Sequence, residues 1–208
     1  MKHLLRIDAS ARQQDSVSKE LGDEFERLWQ LHSQGSVEVR DLSQHPVEQI
    51  QPTTIAGFYT PLDQMTAELQ GATSLSDGLI EELQQADTLL ITLPLYNFGI
   101  PASLKAWVDQ IVRINRTFSY ENGQFGGLVN CPRALVLLAY GAEGYGEGGP
   151  LAAFDFAKPY LEHLLKFIGI ERVTTVTVEG TTGDETLTAQ RLKEAKEELA
   201  TLAKEWHS

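Results

Sequence analysis

Thr88-Leu89-Leu90-Ile91-Thr92-Leu93, followed by Pro94-Leu95-Tyr96-Asn97-Phe98-Gly99-Ile100-Pro101 and then Ala102-Ser103-Leu104-Lys105-Ala106-Trp107-Val108-Asp109, is the stretch that decides the fold. Its first six residues carry no charge, as a strand covered on both faces requires. Proline and glycine punctuate the segment from Pro94 to Pro101, and after it the apolar spacing becomes that of a helix. A strand, a loop and a helix in that order make one unit of a parallel α/β sheet.

The rhythm extends outward in both directions. Strands are expected at 3–8, 36–41, 88–93, 134–140 and 172–178, separated by helical patterns at about 17–32, 76–85, 103–115, 153–168 and 185–206. Five of each predict a doubly wound, five-stranded parallel sheet with helices on both faces, in a single domain over residues 1–208. Residues 42–74 contain Pro46, Pro52 and Pro61 and predict an irregular connection that lies over the surface or reaches a partner.

Composition narrows the function. Seventeen Lys and Arg against 29 Asp and Glu leave a formal charge of −12, which opposes nucleic acid and anionic membrane surfaces. The single cysteine, Cys131, excludes an internal disulfide and fits a reducing compartment, by default the cytoplasm. The apolar run at the start is too short for a signal peptide, and nothing later approaches the roughly 18 apolar residues that cross a bilayer. Zinc-site spacing, G-x-S-x-G and H-E-x-x-H are all missing, so no metal and no side-chain nucleophile is expected. The five histidines, His3, His32, His45, His163 and His207, are scattered and read as surface or helix residues.

In an open parallel sheet, ligands bind beyond the carboxyl ends of the strands, where the strand order reverses. Three loops fall there. The first, Ser10-Ala11-Arg12-Gln13-Gln14-Asp15-Ser16-Val17-Ser18, enters a helix, whose N–H groups and dipole, with the hydroxyls of Ser10, Ser16 and Ser18, suit a phosphate. The same residues would also serve if Ser16 were only a helix cap and Ser10 a solvated turn residue. It has neither the G-x-G-x-x-G of a dinucleotide fold nor the P-loop pattern, so it suits a mononucleotide. The second loop, Pro94 to Pro101, sets two aromatics about Asn97 and supplies apolar faces and polar edges for a flat heteroaromatic ring, unless it simply packs as core. The third, Tyr140-Gly141-Ala142-Glu143-Gly144-Tyr145-Gly146-Glu147-Gly148-Gly149-Pro150, has five glycines that allow close backbone approach or a mobile lid.

With these loops in place, the chain resembles the FMN-dependent NADH-azoreductases, also described as NADH:quinone oxidoreductases, of the flavodoxin-like superfamily. The likeness runs over nearly the whole chain. It rests on Pro94-Leu95-Tyr96-Asn97-Phe98 with Ile100-Pro101 and Leu104-Lys105, on Ser10 and Ser16-Val17-Ser18, on Thr117-Phe118-Ser119-Tyr120-Glu121-Asn122-Gly123 with Gly126-Gly127-Leu128-Val129, and on Tyr160-Leu161 with Phe167-Ile168-Gly169-Ile170. The resemblance implies a flavodoxin-like three-layer sandwich. It implies that Ser10, Ser16, Val17 and Ser18 hold the FMN phosphate, that Leu95, Tyr96, Asn97 and Phe98 border the isoalloxazine, and that Ala139, Tyr140, Gly141 and Ala142 touch its other edge. The chain departs here from the Ser-Arg-Gly-Gly frequent in the family. Phe98, Phe118 and Tyr120 would wall the acceptor pocket, the last two reaching a neighbouring subunit in a homodimer; a hairpin held by aromatic packing would use the same two residues.

The expected activity is transfer of electrons from NADH or NADPH through FMN to quinones in a ping-pong cycle, with azo compounds cleaved as an accompanying reaction. Two rivals remain. A non-enzymatic flavodoxin-type electron carrier would share the fold, cofactor and acidity but would not need the extra segments 42–74 and 116–130. A flavin-free interaction module would give a colourless protein.

Overall fold

The uncharged and amphipathic runs become, in a computed structural model that describes residues 2–206, seven strands and six α-helices. In chain order these are β1 (His3–Asp8), α1 (Val17–His32), β2 (Ser36–Asp41), α2 (Pro52–Tyr59), α3 (Ala67–Gln85), β3 (Thr88–Pro94), α4 (Ala102–Ile111), β4 (Phe118–Glu121), β5 (Gln124–Gly127), β6 (Arg133–Ala139), α5 (Lys158–Phe167), β7 (Arg172–Val178) and α6 (Glu185–Glu205). The five long strands pair in parallel in the order β2-β1-β3-β6-β7. The direction of winding therefore reverses between β1 and β3, and the carboxyl ends of those two strands open a crevice.

Strand pleating splits the core into two layers. On one face Leu5, Ile7, Leu89, Ile91, Leu93, Val136 and Leu138 meet α3, α4 and α5 through Leu79, Leu83, Trp107, Ile111, Leu161 and Leu165. On the other, Leu4, Leu90, Leu135, Leu137, Val176 and Val178 meet α1 and α6 through Leu21, Phe25, Trp29 and Leu199. With apolar side chains on both faces, β3 and β6 read as nearly continuous hydrophobic runs, interrupted in β3 by Thr92, whose hydroxyl donates to Asp8. The edge strand β2 instead carries Glu38, Arg40 and Asp41, charges that discourage further strand addition.

Two expectations need correcting. Residues 42–74 are not irregular throughout: α2 forms inside them, started by Pro52 at the first helical position and a reciprocal Gln51–Thr54 cap, and α3 begins at Ala67 behind the Thr66 cap, nine residues before the expected 76. Pro52 stands at the first position of α2 and Pro61 just before a 3-10 turn at Leu62–Gln64, where no N–H is needed, whereas Pro46 does lie in irregular chain. The helix expected from 153 begins at Lys158, because Ala152–Phe154 forms a separate 3-10 turn. His207 lies outside the described residues.

The segment between α4 and β6 folds as a β4–β5 hairpin, turned by Asn122 and Gly123, both in the left-handed region. Aromatic packing does hold it: Phe125 lies against Tyr120, Phe118 and Phe167. Gly127 docks it on the end of α5, where a Cβ at Gly127 would sit 2.3 Å from the Gly169 nitrogen. That neighbour is backbone and cannot swing aside. Gly127→Ala is expected to cost about 2 kcal/mol, the scale of overpacking a filled site, and to lower the Tm by about 4–8 °C in calorimetry. An unchanged Tm would mean that the hairpin does not dock here.

Candidate active site

Hydroxyls and unpaired N–H groups meet where β1 hands over to α1. Ser16 is the N-cap of that helix, and its Oγ accepts from the Lys19 N–H and lies 3.4 Å from Ser18 Oγ. Ser10 Oγ accepts from the Arg12 N–H at 3.3 Å. As first-turn residues, Val17 and Ser18 leave their N–H groups without helical partners, and the helix dipole adds partial positive charge there. Asp15 reaches the cap through a left-handed conformation (φ 55°). An anion seated at this turn would satisfy the free donors.

The crevice continues past the ends of β3, β6 and β7 as a cavity of about 180 Å3. It brings together the expected Ser10, Ser16, Val17, Ser18, Leu95, Tyr96, Ala139 and Gly141. Arg12, Asp15, Pro94, Thr181 and Thr182 also line it and were not singled out in the sequence. Thr181 and Thr182 follow the carboxyl end of β7 and are fixed by hydrogen bonds to the carbonyls of Tyr140 and Gly141. Extending the strand-end rule to the fifth strand would have found them.

Above the cavity the β3–α4 loop makes a two-residue turn. Tyr96 and Gly99 exchange both N–H···O bonds at 3.0 Å, and Asn97 (φ 49°) and Phe98 (φ 70°) take left-handed conformations. This is the type I′ arrangement, for which asparagine is well suited and phenylalanine is not. A bulky residue held there marks strain that surrounding contacts must sustain, as is common at ligand sites. The turn leaves the N–H groups of Asn97 and Phe98 facing no main-chain acceptor among the described residues. Beside it lies a wider groove of about 780 Å3, lined by Ile50, Tyr96, Asn97, Lys105, Phe156 and Tyr160 among others.

Not every expected residue lines the cavity. Asn97 lines the adjoining groove instead, and Phe98 lines neither, its ring lying 5.6 Å from that of Phe154. The Tyr140 side chain turns into the core, stacks on Tyr145 with ring centroids 4.7 Å apart, and donates from its hydroxyl to Asp155 at 2.7 Å. Ala142 lies just outside, its carbonyl accepting from Gly180. Phe118 and Tyr120 sit on the hairpin away from the crevice, Phe118 lining a separate groove with Phe58 and Tyr160. The glycine-rich loop is tied down: Gly144 N–H donates to Glu179 at 2.6 Å, and Glu143 pairs with Arg191 at 2.9 Å.

Burial, the Asp155 hydrogen bond and nearby carboxylates push the Tyr140 phenol well above its ordinary range. A raised pKa means that the folded state favours the neutral phenol, so the stabilisation is complete below the ordinary value of about 10 and is lost as pH rises beyond it. Tyr140→Phe is expected to lose about 1–2 kcal/mol at neutral pH, with the gap to wild type shrinking above about pH 10 in urea titrations. A gap constant across that range would rule out the assigned hydrogen bond.

A hydroxyl-lined anion turn opposite a strained aromatic turn, both at the strand-order reversal, is the arrangement of a flavodoxin-like sheet. The family model for the flavodoxin-like fold matches residues 2–203. The FMN-dependent NADH:quinone oxidoreductase of Xanthobacter autotrophicus is 55% identical over 174 residues, 83% of this chain and 84% of that one. The chain belongs to the FMN-dependent NADH:quinone oxidoreductase family. A second member, from Trichormus variabilis, is 36% identical over 207 residues, 99% of this chain and all of the other. Among solved structures, the FMN-dependent NADH-azoreductase from Bacillus anthracis in complex with FMN superposes with a TM-score of 0.87 at 26% identity, over the full length of both chains. Membership in this oxidoreductase family agrees with the resemblance carried by the Pro94–Pro101 and Ser10–Ser18 segments. No helix among the described residues is long and apolar enough to cross a membrane.

Proposed function

We propose that this protein is an FMN-dependent oxidoreductase that passes electrons from NADH or NADPH to quinones by a ping-pong mechanism and also cleaves aromatic azo compounds to amines. The observation that carries the reading is the crevice in which the Ser10–Ser18 anion turn meets Pro94, Leu95 and Tyr96, which lead into the strained turn at Asn97 and Phe98. The donor set fits the cofactor. Three serine hydroxyls, Arg12 and the α1 N-terminus suit a phosphate dianion and outnumber the one carboxylate of the lining, Asp15, while Pro94, Leu95, Tyr96, Ala139 and Gly141 offer a mostly apolar bed for a flat ring.

FMN, when bound, supplies the redox chemistry. The chain's own residues do the rest. Ser10, Ser16, Val17 and Ser18 hold the phosphate, with Thr181 and Thr182 closing the cavity at the end of β7. The N–H groups of Asn97 and Phe98, which have no main-chain acceptor among the described residues, with that of Gly141 in the cavity wall, would stabilise negative charge on a bound ring. The adjoining groove takes donor and acceptor in turn. No side chain is needed as a nucleophile.

We further propose that the 208 residues act as one domain, within a homodimer in the cytoplasm. Exposed Tyr120 and Phe125 on the hairpin, with Phe118 close by, support delivery of aromatic residues to the acceptor pocket of a second copy. The large groove beside Tyr96 favours an enzyme over a simple electron carrier, which needs only a cofactor site. Protein purified with FMN, mixed anaerobically with NADH and then with a benzoquinone or an azo dye, should show rapid bleaching of the flavin band and catalytic reoxidation. Bound flavin that NADH cannot reduce would turn the answer to an electron carrier, and a colourless protein would defeat the reading.

A further inference from the structure

The segment after the glycine-rich loop reaches back to the strained turn. Its backbone is extended at Asp155 (φ −85°, ψ 100°), which sends the carboxylate to one side and Phe154 and Phe156 to the other. The carboxylate accepts from the Tyr140 hydroxyl at 2.7 Å and from the N–H groups of Ala157 and Lys158 at 2.9 and 3.1 Å. Both phenylalanines then face the flavin-side turn. The Phe154 ring lies 5.6 Å from that of Phe98, and the Phe156 N–H donates to the Phe98 carbonyl at 2.9 Å.

These contacts clasp Phe98 in its left-handed conformation and build a surface. Phe98, Phe154 and Phe156 remain 49, 48 and 62% exposed, and Phe156 lines the 780 Å3 groove next to Tyr96 and Asn97. The Phe98 and Phe154 rings pack together, Phe156 joins them through its backbone and lines the groove, and exposed apolar side chains so grouped mark a face that binds a ligand or partner. A fused two-ring acceptor has more apolar area to cover than a single ring, and exposed phenylalanines beside the groove would supply that cover. The groove has the volume of a small-molecule pocket. Resting on the quinone-reductase reading above, we propose that Phe154 and Phe156 form the outer wall of the acceptor site and give it a preference for fused two-ring quinones over single-ring ones. Tyr140, acting through Asp155, is the positioning residue that sets that wall.

The test compares kcat/KM for an unsubstituted naphthoquinone and a benzoquinone in wild type, Phe154→Ala, Phe156→Ala and the double variant. The naphthoquinone-to-benzoquinone ratio is expected to fall by about threefold in each single variant and about tenfold in the double, as stacked aromatic contacts are removed. Tyr140→Phe keeps all three rings and is expected to raise the KM for naphthoquinone about threefold, with a smaller change in kcat. An unchanged ratio in the double variant, with benzoquinone still turned over, overturns this inference alone. If light scattering shows instead that the variants dissociate while the ratio holds, the rings cover a subunit contact and the inference is equally overturned. A wild type that binds no FMN or reduces no quinone overturns the functional reading, and this inference with it.

Discussion

Ser16→Asp is expected to abolish stable FMN binding while leaving the fold intact. Aspartate is as good an N-cap as serine and interacts favourably with the helix dipole, so α1 keeps its cap. The new carboxylate would stand at the turn where the phosphate dianion is proposed to sit, within a few ångströms of the Ser18 hydroxyl. At about 4 Å, and the effective dielectric of a part-buried site, each pair of like charges repels by about 4 kcal/mol. A loss of 100-fold or more in affinity is therefore expected, read as the Kd in a flavin fluorescence titration. Ser16→Ala separates charge from hydroxyl: it removes one hydrogen bond and is expected to weaken binding only about tenfold. Near wild-type affinity in Ser16→Asp, with an unchanged melting curve, would move the phosphate away from this turn.

Arg6→Met is expected to destabilise the protein by about 3–5 kcal/mol in urea unfolding, the cost of breaking a buried ion pair from one side. Arg6 points from β1 toward α1 and is almost wholly buried. Its guanidinium donates to Asp8 at 2.9 Å, to Glu26 at 3.0 Å and to the Lys19 carbonyl at 3.2 Å, and pairs with Asp23 at 2.7 Å. Burial alone would favour loss of the proton, but the hydrogen bonds and charges of Asp8 and Asp23 reverse this and hold the group firmly charged. Asp8 is itself buried and would keep only the hydroxyl of Thr92, at 2.8 Å, among its present side-chain partners. Asp8 also ends β1, two residues before Ser10, so disorder there would spread into the anion turn. The double variant Arg6→Met with Asp8→Asn removes the stranded charge and is expected to recover at least half of the loss. Equal losses in the single and double variants would show that packing of the arginine stem, not charge pairing, holds this corner.

The strands of the sheet are legible in the amino-acid chain alone. Uncharged runs at 88–94 and 134–139 leave a strand no solvent-facing side, so both faces must be covered, and the intervening helical periods supply the cover. Two loops of the candidate site are legible in the same way, because serines at a helix start and an asparagine beside phenylalanine in a short turn are local chemistry that needs no distant partner. Segment 42–74 misled for a local reason: proline weighs against a helix when the chain is read residue by residue, and only at the first turn does it not.

What the tertiary structure alone decided was where side chains point. Nothing near Tyr140 in the chain announces that its hydroxyl meets Asp155, 15 residues on, and so turns from the ligand crevice into the core. Thr181 and Thr182 join Ser10 and Ser16 only because β7 and β1 end at the same edge of one sheet, although about 170 residues separate them in sequence. Local patterns report backbone preference and burial period, whereas the meeting of distant strand ends depends on the order in which strands pair, and no single segment carries that order.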